Sequence, residues 1–271
     1  MELGRSAEVA DRFADTFVAW HPVRDALSPS VWDALLEKLI PVEHLDTASV
    51  YQLLGLASRG SPRGVVRMLR ARIRRAAGET SPYQPLPSVR PEALVGFLAA
   101  PDHEQMLREI RDAFLQLPPP EASWIPWLYS LASAGYGDTG LRVLRQWIDG
   151  GGVRGVLAAC ELLRVARPEF LLERADFIQI LLARANAAGL DVLETVQTTL
   201  YDVVRRVATE GSEAGIVGSP WPPLVQIQEK GRALSEDPGL SRVAREFYRG
   251  LTRLAEERIT DARGSDEERL L

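Results

Sequence analysis

Residues 50–73 read VYQLLGLASRGSPRGVVRMLRARI, and residues 125–148 read IPWLYSLASAGYGDTGLRVLRQWI. Aligned without a gap at a constant offset of 75 residues, the two stretches are identical at nine of 24 positions. The identical pairs are Leu53/Leu128, Leu56/Leu131, Ala57/Ala132, Ser58/Ser133, Gly60/Gly135, Arg67/Arg142, Leu69/Leu144, Arg70/Arg145 and Ile73/Ile148. A segment of this length that recurs within one chain indicates an internal structural repeat.

The first copy carries the signals of two helices joined by a short turn. Pro62 suits the first turn of a helix, and Ser61 precedes it as a cap. Gly60 and its counterpart Gly135 stand where a left-handed residue can end the preceding helix. On a 3.6-residue wheel the apolar side chains of the second helix share one side, which predicts a buried face. These side chains are Val65, Val66, Leu69, Ile73 and Ala76.

A weaker copy, PEALVGFLAAPDHEQMLREIRDAF, lies between the two clear ones at residues 91–114. Arg108 follows Arg70 by 38 residues, and Arg145 follows Arg108 by 37. Periods near 40 residues with two helices each are typical of helical solenoids, in which every hairpin is stabilised by its neighbours. The sequence therefore predicts an all-α fold, an α-solenoid of antiparallel helix pairs with about a dozen helices.

The domain organisation predicted from these patterns is a single α-helical repeat domain over residues 1–271. Glycine and proline interrupt the helical pattern in two places, but neither interruption is long enough for a convincing linker. The predicted parts are irregular N-terminal helices at 1–45, repeats at about 46–209, capping helices at about 223–260 and a frayed acidic tail at 261–271. In the later repeats, apolar stripes predict helices over 152–165, 170–188 and 191–209.

The repeated core resembles the HEAT/armadillo-type superfamily of bacterial helical repeats. The resemblance is carried by Leu53, Leu56, Ala57 and Gly60 in the first helix, by Val66, Leu69 and Ile73 in the second, and by their counterparts at 128–148. It spans about residues 31–209, with unit lengths less regular than in that superfamily. The resemblance implies a scaffold, adaptor or regulatory protein that binds its partner along a curved face.

The composition narrows the function classes. The chain has 46% hydrophobic and 25% charged residues, as soluble folded proteins do. Its net charge of −5 argues against a dedicated nucleic-acid binder, although a local basic patch stays open. One cysteine excludes an intramolecular disulfide framework and fits a reducing cytosol. No apolar run approaches the roughly 20 residues that cross a bilayer, so a cytoplasmic protein without membrane contact is expected.

An arginine run, RGVVRMLRARIRR at residues 63–75, is the sharpest candidate for a binding site. Four of its arginines are spaced by 4, 3 and 4 residues and so form one stripe beside the apolar face. Two of these positions recur in later repeats. The candidate binding arginines are Arg63, Arg67, Arg70, Arg74, Arg108, Arg142 and Arg145.

We call these seven candidate arginines the arginine ladder, and two interpretations of it stay open. In the first, it lines a groove that binds an acidic peptide, a phosphorylated partner or a nucleic-acid backbone. In the second, each arginine bonds a carbonyl or carboxylate of the neighbouring repeat and so holds the repeats together. Arg72 and Arg75 are expected to point away from the stripe.

Trp127 and Trp147 are the aromatic candidates. They occupy the repeat positions of Gln52 and Arg72, which are polar in the first copy. We therefore expect both indoles to be partly exposed and available to a partner, with core packing as the alternative.

No pattern of catalytic or metal-binding residues is found. Two literal GxGxxG matches, at 135–140 and 150–155, follow helices instead of strands and are predicted to be turns. The histidines His21, His44 and His103 share no metal-ligand spacing with Cys160, which is expected to be a buried apolar residue. The sequence thus predicts no catalytic residue, no metal and no cofactor.

The function predicted from these observations is a non-enzymatic scaffold, adaptor or regulatory subunit that binds a protein partner along the arginine face. An acidic partner fits that face. The alternative is a HEAT-like nucleic-acid-binding protein or an alkylpurine DNA glycosylase-type enzyme, a class that also presents a basic groove.

Overall fold

The computed structural model describes residues 27–78, 83–88, 91–214 and 222–269. Within these residues the chain is largely helical and contains no strand, so the predicted all-α class is confirmed. The predicted irregular helices at 1–45 lie partly outside the described residues. The helices are α1 (Pro29–Glu37), α2 (Ala48–Gly60), α3 (Pro62–Gly78), a 3-10 helix (Pro91–Ala99), α4 (His103–Gln116), α5 (Pro119–Ala122), α6 (Ile125–Ala132), α7 (Asp138–Gly150), α8 (Gly152–Leu163), α9 (Pro168–Glu173), α10 (Ala175–Ala188), α11 (Leu190–Ala214), α12 (Pro222–Glu236) and α13 (Arg242–Arg269).

The chain divides into two compact units, Met1–Val143 and Leu144–Leu271. The division falls within α7, and each unit has its own buried apolar core. The single repeat domain over residues 1–271 stays a prediction.

The matched segments both form a helix, a turn and a second helix, as the repeat predicts. The first segment gives α2 and α3, and the second gives α6 and α7. Thr47 caps α2, because its hydroxyl accepts a 3.3 Å hydrogen bond from the backbone N–H of Val50. The predicted second-helix core is buried in the first copy at Val66, Leu69 and Ile73. Leu56, expected in the first-helix core, is half-buried instead.

The helices of the first unit adjoin one another in the order of the predicted repeats. α2 packs against the 3-10 helix, and the 3-10 helix packs in turn against α6. α1 packs on α3, and α4 packs on α6. This arrangement is compatible with a helical repeat, since each hairpin there is stabilised by the next one.

The turns differ between the copies. Gly135 has a φ of 74° and lies between two further left-handed residues, Ala134 at 50° and Tyr136 at 67°. The expectation of a left-handed glycine is thus confirmed at Gly135. It is wrong at Gly60, which is the last residue of α2 and does not have a positive φ.

In the second unit, α13 packs along α12 and also against α10, while α11 packs against α8 and α10. The hydroxyl of Tyr248 in α13 donates a 2.7 Å hydrogen bond to the carbonyl of Leu171 in α9. The continuous helix predicted over 170–188 is broken at Arg174, whose φ of −116° and ψ of 41° separate α9 from α10. The last helix runs to Arg269, beyond the end near residue 260 that is predicted for the capping helices.

Both GxGxxG matches lie at junctions between helices, as predicted. The first covers the turn before α7 and the first turn of that helix. In the second, Gly150 ends α7 and Gly152, with a φ of 58°, begins α8. Cys160 is fully buried in α8, as expected, and burial raises the pKa of its thiol.

Candidate arginine groove on the first unit

Helix α3 places four of the predicted arginines along one groove. Its apolar face is buried at Leu69 and Ile73, so the arginine stripe beside that face stays near the surface. The groove has a volume of about 190 Å³ and runs between α3 and α4. Its lining consists of Arg63, Val66, Arg67, Arg70, Arg74, Met106 and Glu109.

The arginines nearest the start of α3 are paired with carboxylates of other helices. Arg63 donates two hydrogen bonds from Nη1 and Nη2 to Glu109, at 3.2 and 3.4 Å, and a third from Nε to Asp102. The guanidinium of Arg63 holds the pKa of Asp102 below its usual range. Arg67 Nη1 donates a 2.9 Å hydrogen bond to Asp33 of α1. These two arginines thus tie α3 to α4 and to α1.

Arg70 and Arg74 differ from the other lining arginines. Neither has a hydrogen-bond or ion-pair partner within the part of the chain that the structure describes. The side chain of Arg74 is exposed and that of Arg70 is half-buried. The far end of the groove therefore carries two guanidinium groups whose N–H donors are not used by any described residue.

The recurrent arginines in later repeats do not line this groove. Arg108 and Arg142 both donate to the carboxylate of Glu104, and the Arg142 Nη1 to Glu104 Oε2 distance is 3.0 Å. Their shared acid connects α7 to α4. Arg145 belongs to the second unit, where Asp149 accepts hydrogen bonds from Arg145 Nε at 3.4 Å and from Arg184 Nη2 at 3.1 Å.

The arginines of the ladder therefore differ in their contacts. Arg63, Arg67 and Arg142 make ion pairs between helices, as in the structural interpretation. Among the described residues, only Arg70 and Arg74 combine a place in the groove with unused donors.

Trp127 and Trp147 are partly exposed, as expected. The side chain of Trp127 in α6 is 44% exposed, and Trp147 in α7 is half-buried. Neither lines the groove. Trp147 was expected to be exposed because Arg72, the residue at the same repeat position, is polar. That reason is wrong, since Arg72 is fully buried.

Arg72 has a structural role that was not predicted from the sequence. Its guanidinium donates hydrogen bonds to six backbone carbonyls, which belong to Leu39, Ile40, Val42, Glu43, Gln84 and Pro85. The guanidinium carbon also lies 4.5 Å from the centre of the Tyr83 ring. Burial lowers the pKa of Arg72 to about 10. Its position three residues after Leu69 places it on the apolar side of α3, and this signal was present in the sequence.

His103 is buried against the end of α6. Nε2 of His103, a buried residue at the start of α4, is 2.8 Å from the carbonyl oxygen of Ala132. Within the described ranges, no three His, Cys, Asp or Glu side chains are grouped so that they could hold a metal ion. No described helix combines the length and apolarity needed to cross a membrane.

Comparison with known proteins gives no match to a family model, to a curated protein or to a solved structure. The HEAT/armadillo family therefore stays a prediction from the repeated sequence.

Proposed function

We propose that this protein is a non-enzymatic interaction protein that holds a partner protein at the α3–α4 groove. Arg70 and Arg74 supply the contacts to that partner. The observation that carries the proposal is a difference among the groove arginines. Arg63 and Arg67 pair with carboxylates of other helices or their caps, whereas Arg70 and Arg74 have no such partner among the residues that the structure describes.

Arginine is well suited to such a role. Its guanidinium stays charged at every physiological pH and presents a planar fork of N–H donors to a carboxylate. Because Arg70 and Arg74 are exposed or half-buried, a partner reaches them without unfolding the helix. Contacts of this kind concentrate binding energy in few residues of an interface.

The size and chemistry of the groove support a protein partner over a small-molecule substrate. Pockets for small ligands have volumes of roughly 300–1,000 Å³ and enclose most of the ligand. The groove is smaller, at about 190 Å³. Its lining offers guanidinium groups, two apolar side chains and one carboxylate that Arg63 already engages. Among the described lining residues there is no nucleophile adjacent to a general base.

Charge reversal at the two unpartnered arginines tests the proposal. The variant Arg70→Glu/Arg74→Glu is compared with Arg249→Glu/Arg253→Glu, which makes the same change at two exposed arginines of α13 with the same spacing. Neither Arg249 nor Arg253 forms an ion pair with a described residue. Each tagged protein is expressed in the source organism, cross-linked and recovered, and bound proteins are quantified by mass spectrometry.

The expected result is a partner that the wild type and the α13 variant retain and the groove variant loses. Thermal unfolding of both variants is measured in parallel, so that loss of binding is not confused with loss of folding. Recovery of the same proteins with wild type and groove variant would contradict the proposal. Tight binding of duplex DNA that weakens steeply with salt would favour the nucleic-acid alternative instead.

A further inference from the structure

The spacing of the groove residues along α3 restricts the chemistry of the partner. Val66, Arg70 and Arg74 follow one another at intervals of four residues and all line the groove. At a rise of 1.5 Å per residue, each interval corresponds to about 6 Å along the helix axis. One apolar contact and two cationic contacts are therefore arranged in a row, at successive turns of one helix.

We infer that the groove binds an acidic helix of a partner protein that presents one apolar side chain and two carboxylates at successive turns. Side chains four residues apart on a helix are neighbours on one face and have the same spacing of about 6 Å. The pattern on the partner is thus an apolar residue followed at four-residue intervals by two Asp or Glu residues, or the reverse order. This inference rests on the proposed function and specifies its partner.

The charges around the groove favour such a ligand over a nucleic acid. The four lining arginines face Asp33, Asp102 and Glu109, which engage Arg63 and Arg67. Among these described residues one net positive charge remains, and the unused donors belong to Arg70 and Arg74. A nucleic-acid site typically neutralises about 6–10 phosphates. The unused donors of Arg70 and Arg74 can satisfy two carboxylates. Further phosphates of a nucleic acid would be repelled by the three carboxylates that engage Arg63 and Arg67.

The apolar end of the groove accounts for the third contact. Val66 and Met106 line the groove and are 7% and 1% exposed. Because Met106 is almost fully covered, Val66 provides the apolar surface that the partner can reach. The partner's apolar residue placed against Val66 would bring its two carboxylates to Arg70 and Arg74, while a third acid at that end would meet Glu109.

A substitution of Glu109 is expected to strengthen binding, whereas substitution of Arg70 and Arg74 is expected to weaken it. Its carboxylate lines the groove and repels an acidic ligand, so the neutral variant Glu109→Gln should bind the ligand more tightly. Since the Glu109 carboxylate and the carboxylates of a bound ligand are both in contact with solvent, their repulsion is screened. The expected gain in affinity is therefore about threefold. A basic surface without sequence preference would show the same gain in affinity for any anion. The order and spacing of the residues in the peptide are therefore varied as well.

The probes are fluorescein-labelled, alanine-based helical peptides measured by fluorescence anisotropy at two salt concentrations. One peptide carries Leu, Glu and Glu at four-residue intervals, a second replaces both Glu by Gln, and a third moves the second Glu by two residues to the opposite face. Both chain directions of the first peptide are tested. A labelled DNA duplex is the polyanion control. The proteins are the wild type, Arg70→Glu/Arg74→Glu, Arg249→Glu/Arg253→Glu and Glu109→Gln.

The expected result is binding of the first peptide in one chain direction, with about tenfold or greater loss for the Gln peptide, the displaced peptide and the groove variant. The α13 variant should stay within about twofold of wild type. Equal binding of all three peptides, stronger binding of the duplex, or equal loss in the α13 variant would overturn the inference. If the groove variant loses its cellular partner while no peptide binds, the proposed function stands and this inference is wrong. If peptides bind but the cellular partner is unaffected by the groove variant, the proposed function is wrong and the inference falls with it.

Discussion

The indole Nε1 of Trp32 lies 2.1 Å from the point where a Cβ atom on residue 60 would stand. Trp32 belongs to α1 and is 2% exposed, and Gly60 is the last residue of α2. The glycine is therefore required by the close approach of a buried ring to the helix end. Its freedom to adopt a left-handed backbone is not used there.

This contact predicts the effect of a methyl group at position 60. Gly60→Ala forces the indole or the helix end to move, and such overpacking costs about 1–3 kcal/mol of unfolding free energy. Gly78→Ala is the matched control, since Gly78 also ends a helix and nothing lies within 4 Å of its Cβ position. The control should change stability by less than about 1 kcal/mol. Urea unfolding measures both, and equal effects would refute the packing explanation.

The carbonyl cage around Arg72 predicts a large loss of stability when the guanidinium is removed. Arg72→Met leaves several buried carbonyls without donors, at a cost of about 3 kcal/mol or more. Arg72→Lys keeps a charge with up to three donors and should lie between Met and wild type. Arg74→Met, the same substitution at an exposed position of the same helix, should change stability by less than about 0.5 kcal/mol.

Calorimetric unfolding of the Arg72 and Arg74 variants distinguishes a structural arginine from a surface one. A similar small effect in Arg72→Met and Arg74→Met would show that the six hydrogen bonds contribute little. Retention of peptide binding by Arg72→Lys would separate this residue from the proposed groove contacts.

Asp46 predicts a pH-dependent contribution to stability. Burial opposes its charged form, but hydrogen bonds from the backbone and hydroxyl of Ser88 and from the Tyr51 hydroxyl outweigh burial and lower its pKa. Burial and the bond to Asp46 together raise the pKa of Tyr51 to about 12. A lowered carboxyl pKa contributes stability above the unfolded value of about 3.9, and this contribution is lost as pH falls through the folded value.

Asp46→Asn should therefore be less stable than wild type at pH 7, and the difference should shrink as pH falls below about 4. Thermal unfolding of both proteins at pH 7, 5, 4 and 3 measures the effect. Tyr51→Phe, which removes one of the hydrogen-bond donors to Asp46, should show part of the same trend. A difference that is constant over this pH range would contradict the assignment.

The second glycine motif predicts a contrast between two of its own residues. A Cβ on Gly155 would lie 2.4 Å from the carbonyl oxygen of Trp147, whereas Gly150 has nothing within 4 Å of that position. Gly155→Ala must displace backbone and should cost about 1–3 kcal/mol, while Gly150→Ala should be neutral or stabilising by less than about 1 kcal/mol. Comparable losses in both variants would argue against close packing as the role of Gly155.

Local periodicity was enough to predict the helices and their buried faces. Leu69 and Ile73 were recognised because apolar residues recur at helical spacing, and Gly135 was recognised because helices often end in a left-handed glycine. The break of the predicted 170–188 helix at Arg174 was not foreseen, because no glycine or proline marks it.

The pairing of the arginines could not be predicted from the sequence. Asp33 and Arg67 are 34 residues apart, and Arg63 and Glu109 are 46 residues apart, so these contacts arise only from packing of whole helices. Which arginines stay unpaired depends on the acids that tertiary structure brings near. Arg72 was detectable in principle, since its spacing from Leu69 places it on the apolar side of α3.

One guanidinium holds two chain segments that are remote from each other in sequence, residues 39–43 before α2 and residues 84–85 after α3. If either segment moved away from Arg72, water would reach the guanidinium. The carbonyls of the other segment, which bind the same guanidinium, would then be exposed as well. Amide protons of these two segments should therefore exchange with deuterium at closely similar rates, as members of one cooperative opening unit.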